Sequence, residues 1–200
     1  MPVKNIIFDF GGVLIDWNPV YLYKNEFNTK EEMDYFLNNI CTSKWNMNQD
    51  KGYPLEKATK ELQAKHPEYS EKIGMYYGRW TEMLGGTIDE NVNILKRLKP
   101  HYPIYGLTNW SAETIPFAIE RYDFFQLLDG IVVSGEEKLV KPDVRLYQIL
   151  LDRFQLNAEE SLFIDDNYHN IQTANEMGFI TIHLASETDL EEEITKLKLL

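Results

Sequence analysis

The 200-residue chain carries 20 basic against 32 acidic side chains, a net charge of −12, which argues against a surface that tracks nucleic-acid phosphates. Its 44% hydrophobic content supports one sizeable core plus a modest subdomain, and a single cysteine, Cys41, excludes an internal disulfide or a cysteine-based zinc cluster. No apolar stretch approaches the roughly 18 residues of a membrane span and no N-terminal run resembles a signal-peptide core, so a soluble, cytoplasmic protein without a membrane partner is expected.

The first element is the apolar run Ile6, Ile7 and Phe8, too short for a helix and consistent with a buried strand of a parallel sheet. Asp9 follows at once, and Gly11-Gly12 lets the chain turn tightly with main-chain N–H groups free to approach a ligand. A helical block comes next. Thr29 and Glu32 form a capping box ahead of Met33, Phe36, Leu37 and Ile40; Ser43 to Tyr53 is polar and reads as a loop. Pro54 opens a helix with Leu55, Ala58, Thr59 and Leu62 inward, and Pro67 opens another with Ile73, Tyr76, Tyr77, Trp80 and Leu84, stopped by Gly85-Gly86.

From Thr87 the rhythm alternates. Thr87 with Glu90 caps a helix that presents Val92, Leu95 and Leu98 and ends at Pro100. A strand over Ile104 to Leu107 ends at Thr108, and Ser111 caps a helix with Ile115 and Ile119. Gly130 to Val133 is a strand, Pro142 starts a helix with Leu146, Ile149, Leu150 and Phe154, and Asn157 caps a short turn. Strands follow at Leu162 to Ile164 and Ile180 to Leu184, with Gly178 closing the helix between them. The acidic stretch from Glu187 to Glu193 reads as the solvated face of a last helix that carries Ile194, Leu197 and Leu200. Such alternation predicts an α/β, doubly wound parallel sheet, with residues 1–17 and 87–200 as its core and 18–86 as an inserted all-helical cap.

Four polar stretches end or follow strands: Asp9; Thr108-Asn109; Lys141-Pro142; and Asp165-Asp166-Asn167 with Asn170. Parallel strands bring their C-terminal ends to one sheet edge, where ligands bind in open α/β folds. Singly, each residue also fits a capping or surface role. In this order and context, Phe-Asp-Phe-Gly-Gly-Val, Gly-Leu-Thr-Asn-Trp-Ser, Val-Lys-Pro-Asp and Phe-Ile-Asp-Asp-Asn, the whole chain resembles the haloacid dehalogenase (HAD) superfamily, in the branch with a helical cap after the first motif. The resemblance implies a Rossmann-like core and a phosphatase like the sugar-phosphate members.

In that reading Asp9 is the nucleophile and carries an aspartyl-phosphate, Thr108 and Asn109 hold a phosphoryl oxygen, and Lys141 neutralises the charge that develops. Mg2+ would be held by Asp9, the Gly11 carbonyl, Asp165 and Asp166, with the inner-sphere ligand of the acidic pair left open. The expected ligand is a small phosphorylated metabolite, bound by a monomer or homodimer. Trp17, Trp45 and Trp110 are candidates to line the mouth of the site, while Tyr76, Tyr77 and Trp80 read as core.

One position departs from the family pattern. Most phosphatases of the superfamily place a second Asp two residues after the nucleophile as acid and base; here Gly11 stands there. Such help is worth about 10² to 10⁴ in rate. Asp16, His169 or the cap could supply a substitute, and substrates with good leaving groups should suffer least. Two alternatives stay open: a metal-independent 2-haloacid dehalogenase, disfavoured by the acidic pair Asp165-Asp166, and a module that binds a phosphoryl ligand without turnover.

Overall fold

A computed structural model describes residues 2–200. β1 (Asn5–Phe8) runs through the middle of a five-stranded sheet. Ile6 and Phe8 join the apolar cluster on one face and Ile7 the cluster on the other, the period of two expected of a strand covered on both sides.

Beyond the Gly11-Gly12 turn lie β2 (Ile15–Trp17), α1 (Pro19–Tyr23), α2 (Lys30–Asn39), α3 (Ser43–Asp50), α4 (Leu55–Lys65), α5 (Ser70–Gly78) and β3 (Leu84–Thr87). The helices start where side-chain oxygens satisfy free N–H groups: Asn18 accepts from Val20, Thr29 from Glu32 and Thr42 from Trp45. Tyr23, Phe36 and Tyr76 are buried at their centre, with the Tyr23 and Phe36 rings 5.0 Å apart.

Three expectations change in this region. Ser43 to Asp50 is helix α3, because the Thr42 cap outweighs the polar composition. Gly85-Gly86 does not stop a helix but lies in β3, which pairs antiparallel with β2 (Ile15 with Thr87, Trp17 with Leu84). The segment between the two strands is therefore helical but leaves and rejoins the rest of the chain through a small two-stranded sheet. Gly85 is required by a close approach: a Cβ there would meet Asp16 Oδ2 at 2.5 Å and the Tyr21 ring.

The remainder is α6 (Asp89–Leu98), β4 (Ile104–Thr108), α7 (Ile115–Arg121), β5 (Gly130–Val133), α8 (Ser134–Glu137), α9 (Val144–Phe154), β6 (Ser161–Asp165), α10 (Tyr168–Glu176), β7 (Ile180–His183) and α11 (Leu190–Lys196). The strands are all parallel in the order β5-β4-β1-β6-β7. The chain thus winds outward from β1 first through β4 and β5, then through β6 and β7 on the other side.

Smaller departures concern caps and faces. Thr87 bonds the Asp89 side chain rather than capping α6, whose cap position is Ile88. Ser111 Oγ accepts from Glu113 N, so it closes a turn ahead of α7, and Ile119 lies 37% exposed. α9 starts at Val144 rather than at Pro142, with Asp143 as its cap accepting from Arg145 N. Ile194 is buried, but Leu197 and Leu200 are exposed because α11 ends at Lys196. Among the described residues no helix is long and apolar enough to cross a membrane.

Candidate active site

Asp9 is the first residue past β1, and two ties set its direction. Its N–H donates to the Ile164 carbonyl (2.9 Å), and its Oδ1 accepts from Phe10 N (2.7 Å). The Phe10 ring is fully buried against Phe125, 5.0 Å between centroids, so the turn is anchored on the opposite side of the backbone from the carboxylate.

Lys141 joins the strand ends. Its buried ammonium lies 2.9 Å from Asp9 Oδ2 and 2.6 Å from Asp165 Oδ2, and donates to the Leu107 carbonyl at 2.8 Å. Burial alone would push Lys141 down, but Asp165 and Asp9 outweigh it and hold the ammonium above its ordinary value. Burial pushes Asp9 up to about 7, against Lys141 and with help from Asp165. Partial desolvation of its carboxyl against the sheet edge and the Asp165 charge raise Asp166.

Asp165 is locked in place: Asn170 Nδ2 donates to both its oxygens (3.0 and 3.1 Å) and Asn167 N to Oδ1 (2.8 Å). It is wholly buried, whereas Asp166 is exposed and lines the cavity above the sheet edge. Gly12 is held close to Asp166 with φ +73°, and a Cβ on Gly12 would come within 2.4 Å of Asp166 Oδ2, so only glycine lets the first turn reach this carboxylate.

Thr108 ends β4, is buried and lines the cavity. Asn109 differs from expectation: its side chain is spent on Lys141, donating to the Lys141 carbonyl (3.0 Å) and accepting from its N–H (2.7 Å). Asn109 lines the cavity, but its amide positions Lys141, leaving its backbone for a ligand. Sequence patterning points to all four strand-end stretches, and the fold brings them to one edge.

The cavity has a volume of about 280 Å³ and a second wall. Trp17, Asn46, Asp50, Tyr77 and Trp80 line it together with Asp9, Gly11, Thr108 and Trp110, and the Trp80 and Trp110 rings meet at 5.5 Å. Trp17 and Trp110 line it as expected. Trp45 instead packs on Tyr76 and Tyr77 (5.2 and 5.4 Å) beside a separate hollow, while Trp80 is buried in the core as read and, with Tyr77 at the core's edge, also lines the cavity. Asp16 and His169 stay outside it: Asp16 accepts from Tyr21 OH (2.6 Å), and His169 is an exposed residue of the first turn of α10.

Asn46 and Asp50 were invisible in sequence because Ser43 to Asp50 reads as loop. Their spacing of four was the available signal, since on a helix it places both on one face, and Asn46 Nδ2 does donate to Asp50 Oδ2 (2.8 Å).

One oxygen from each of Asp9, Asp165 and Asp166 falls within 4.8 Å of the others. Three hard carboxylates at that spacing fit a divalent cation such as Mg2+, with Lys141 balancing two of them from below. This carboxylate–lysine cluster lies at the C-terminal edge of a doubly wound parallel sheet, the edge at which open α/β folds bind ligands. The family model for haloacid dehalogenase-like hydrolases matches residues 6–184, and the chain belongs to that family.

Its relatives include phosphatases. The chain is 26% identical over 182 residues, 90% of its length and 89% of the relative's, to a sesquiterpene phosphatase, astK, of Aspergillus oryzae. It is 20% identical over 210 residues, covering 96% and 97%, to a D-ribitol-5-phosphate phosphatase of Bacteroides thetaiotaomicron. The fold resembles a HAD family enzyme of Bacteroides thetaiotaomicron solved as a magnesium complex, with TM-score 0.77 at 19% identity over 97% of this chain and 99% of that one.

Proposed function

We propose that the protein is a Mg2+-dependent phosphatase of small phosphate monoesters, with residues 18–86 acting as a cap over the sheet edge. The observation that carries this reading is the Lys141 ammonium shared between Asp9 and Asp165, with Asp166 close by. Lys141 opposes the burial that raises Asp9 and faces the charge that builds as the carboxylate meets a phosphoryl group. Asp9, Asp165, Asp166 and the Gly11 carbonyl would hold the cation. Bound there, it offsets the repulsion between the Asp9 carboxylate and the incoming phosphoryl oxygens.

Asp9 Oδ2 attacks phosphorus, the bond to the leaving oxygen breaks, and the aspartyl-phosphate is then hydrolysed by water. Thr108, buried beside Asp9, donates its hydroxyl to a non-bridging oxygen, and the backbone N–H of Asn109 adds to it. The aromatic side chains of Trp17, Trp80 and Trp110 exclude water and favour a compact leaving group with an apolar face. The Asp165 and Asp166 carboxylates beside Asp9 speak against a metal-free site for a haloacid anion, whose own carboxylate they would repel.

The test is phosphate release from p-nitrophenyl phosphate and acetyl phosphate, with Mg2+ and with EDTA. Turnover that needs the metal and falls by at least about 10⁴ in Asp9→Asn is expected. Metal-independent turnover of a 2-haloacid, or phosphate binding without any release, would replace this reading with one of the alternatives.

A further inference from the structure

We infer that Asp50, at the end of α3, is the general acid and base of the reaction, taking from the cap side the place that Gly11 leaves vacant on the sheet side. The inference rests on the phosphatase reading. Gly11 lines the cavity, and a Cβ built on it meets nothing within 4 Å, so the usual position of the acid is open space. Three carboxylates line the cavity: Asp9, Asp166 and Asp50. The first two belong to the cluster that fits a cation. Asp50 comes from the opposite wall, and no Lys, Arg or His is among the described residues that line the space.

Asp50 is held as a catalytic carboxyl must be. Its Oδ2 accepts from Asn46 Nδ2 (2.8 Å), and the Asn46 amide is fixed in turn because its Oδ1 accepts from Tyr77 OH (2.9 Å). Ser134 Oγ donates to the Asp50 carbonyl (2.5 Å) while accepting from Trp110 N (2.8 Å). Ser134 follows β5 and Trp110 follows β4, so a residue of the helical segment is tied through one hydroxyl to the loop that carries Asn109.

Burial raises Asp50 to about 7, opposed by the Ser111 N–H, which suits a group that must give a proton and then take one at neutral pH. The ionisable groups facing it are Tyr76 and Tyr77 on α5, with Glu113 beyond Tyr77, and Asp9 and Asp166 across the cavity.

In the first step the Asp9 carboxylate forms the new P–O bond. The bond to the leaving oxygen breaks with its electron pair on that oxygen, and the Asp50 proton passes to it, leaving Asp50 ionised. In the second, water attacks the phosphorus of the aspartyl-phosphate and gives its proton to Asp50 as Asp9 departs as a carboxylate, restoring both groups.

The test compares kcat/KM, which reports the steps through loss of the leaving group, for p-nitrophenyl phosphate and glycerol 2-phosphate with Mg2+. Asp50→Asn should lower the alkyl value by about 10² to 10⁴ and the aryl value by less than about tenfold, because nitrophenolate leaves without a proton. The alkyl profile of the wild type should fall as pH rises through about 7, and that limb should vanish in Asp50→Asn. Gly11→Asp added to Asp50→Asn should restore alkyl turnover.

An equal loss on both substrates, or none, would overturn the role of Asp50 while leaving the phosphatase reading intact. A wild type that hydrolyses neither ester would overturn both.

Discussion

On the sheet side of the cavity, Asp9, Thr108 and Asp166 sit at or just past the ends of parallel strands; on the helical side, Asn46, Asp50 and Tyr77 sit on α3 and α5. The first group is fixed by main-chain pairing: β1 is hydrogen-bonded to β4 and β6 along its length, so a strand end cannot move without breaking the sheet. The second is fixed by side chains, through Tyr77, Asn46 and the Ser134 bridge. In the proposed mechanism, chemistry and stability are therefore merged on one wall and separable on the other. A substitution below the sheet edge should damage both, while one on the helical wall should alter selectivity among substrates before it alters folding.

Lys141 should show the largest combined effect. Lys141→Met leaves Asp9 and Asp165 buried without their shared cation, a loss of about 3–5 kcal/mol in urea unfolding of the metal-free protein. Turnover should fall with it. Unchanged stability would mean that the ammonium is not the support that its contacts at 2.9 and 2.6 Å describe.

Ser134→Ala comes next. It strips a partner from Trp110 N and from the Asp50 carbonyl, and a group left unpaired inside a protein costs about 1–3 kcal/mol. Because the bridge joins the two walls, kcat/KM for an alkyl phosphate should fall several-fold more than the aryl value. Equal losses would separate the bridge from the alignment of Asp50.

The smallest effect is on pH. Asp9 is raised from its ordinary value of 3.8 to about 7 in the folded, metal-free protein. Its preference for the proton stabilises the fold fully below 3.8, and that contribution is lost as pH rises through about 7. A cation takes the proton's place, so the rise in Tm on adding Mg2+ should be small at pH 5 and grow by a few degrees toward pH 8. A shift that does not depend on pH would argue that the cation binds away from Asp9.

The legible parts of this protein were those set by short-range rules. Ile6 to Phe8 followed by Asp9, and Leu162 to Ile164 followed by Asp165, announce buried strands with carboxylates at their ends. The hidden parts depend on distant partners. β2 and β3 are three and four residues long and include two glycines, and they exist because they pair with each other across nearly seventy intervening residues. Helix α3 is polar nearly all round, and its place in the cavity wall shows only when Tyr77 and Ser134 are brought against it. Asn109 looked like a phosphate ligand because it follows Thr108, but the proximity of Lys141 in space recruits its side chain.

The most direct test of the account is a rapid acid quench of the wild-type protein during turnover of a phosphate monoester with Mg2+, followed by mass spectrometry of its peptides. One added phosphoryl group on the peptide that contains Asp9, absent from Asp9→Asn, is the predicted result. Turnover at full rate in Asp9→Asn, or a phosphoryl group carried by a different residue, would contradict it.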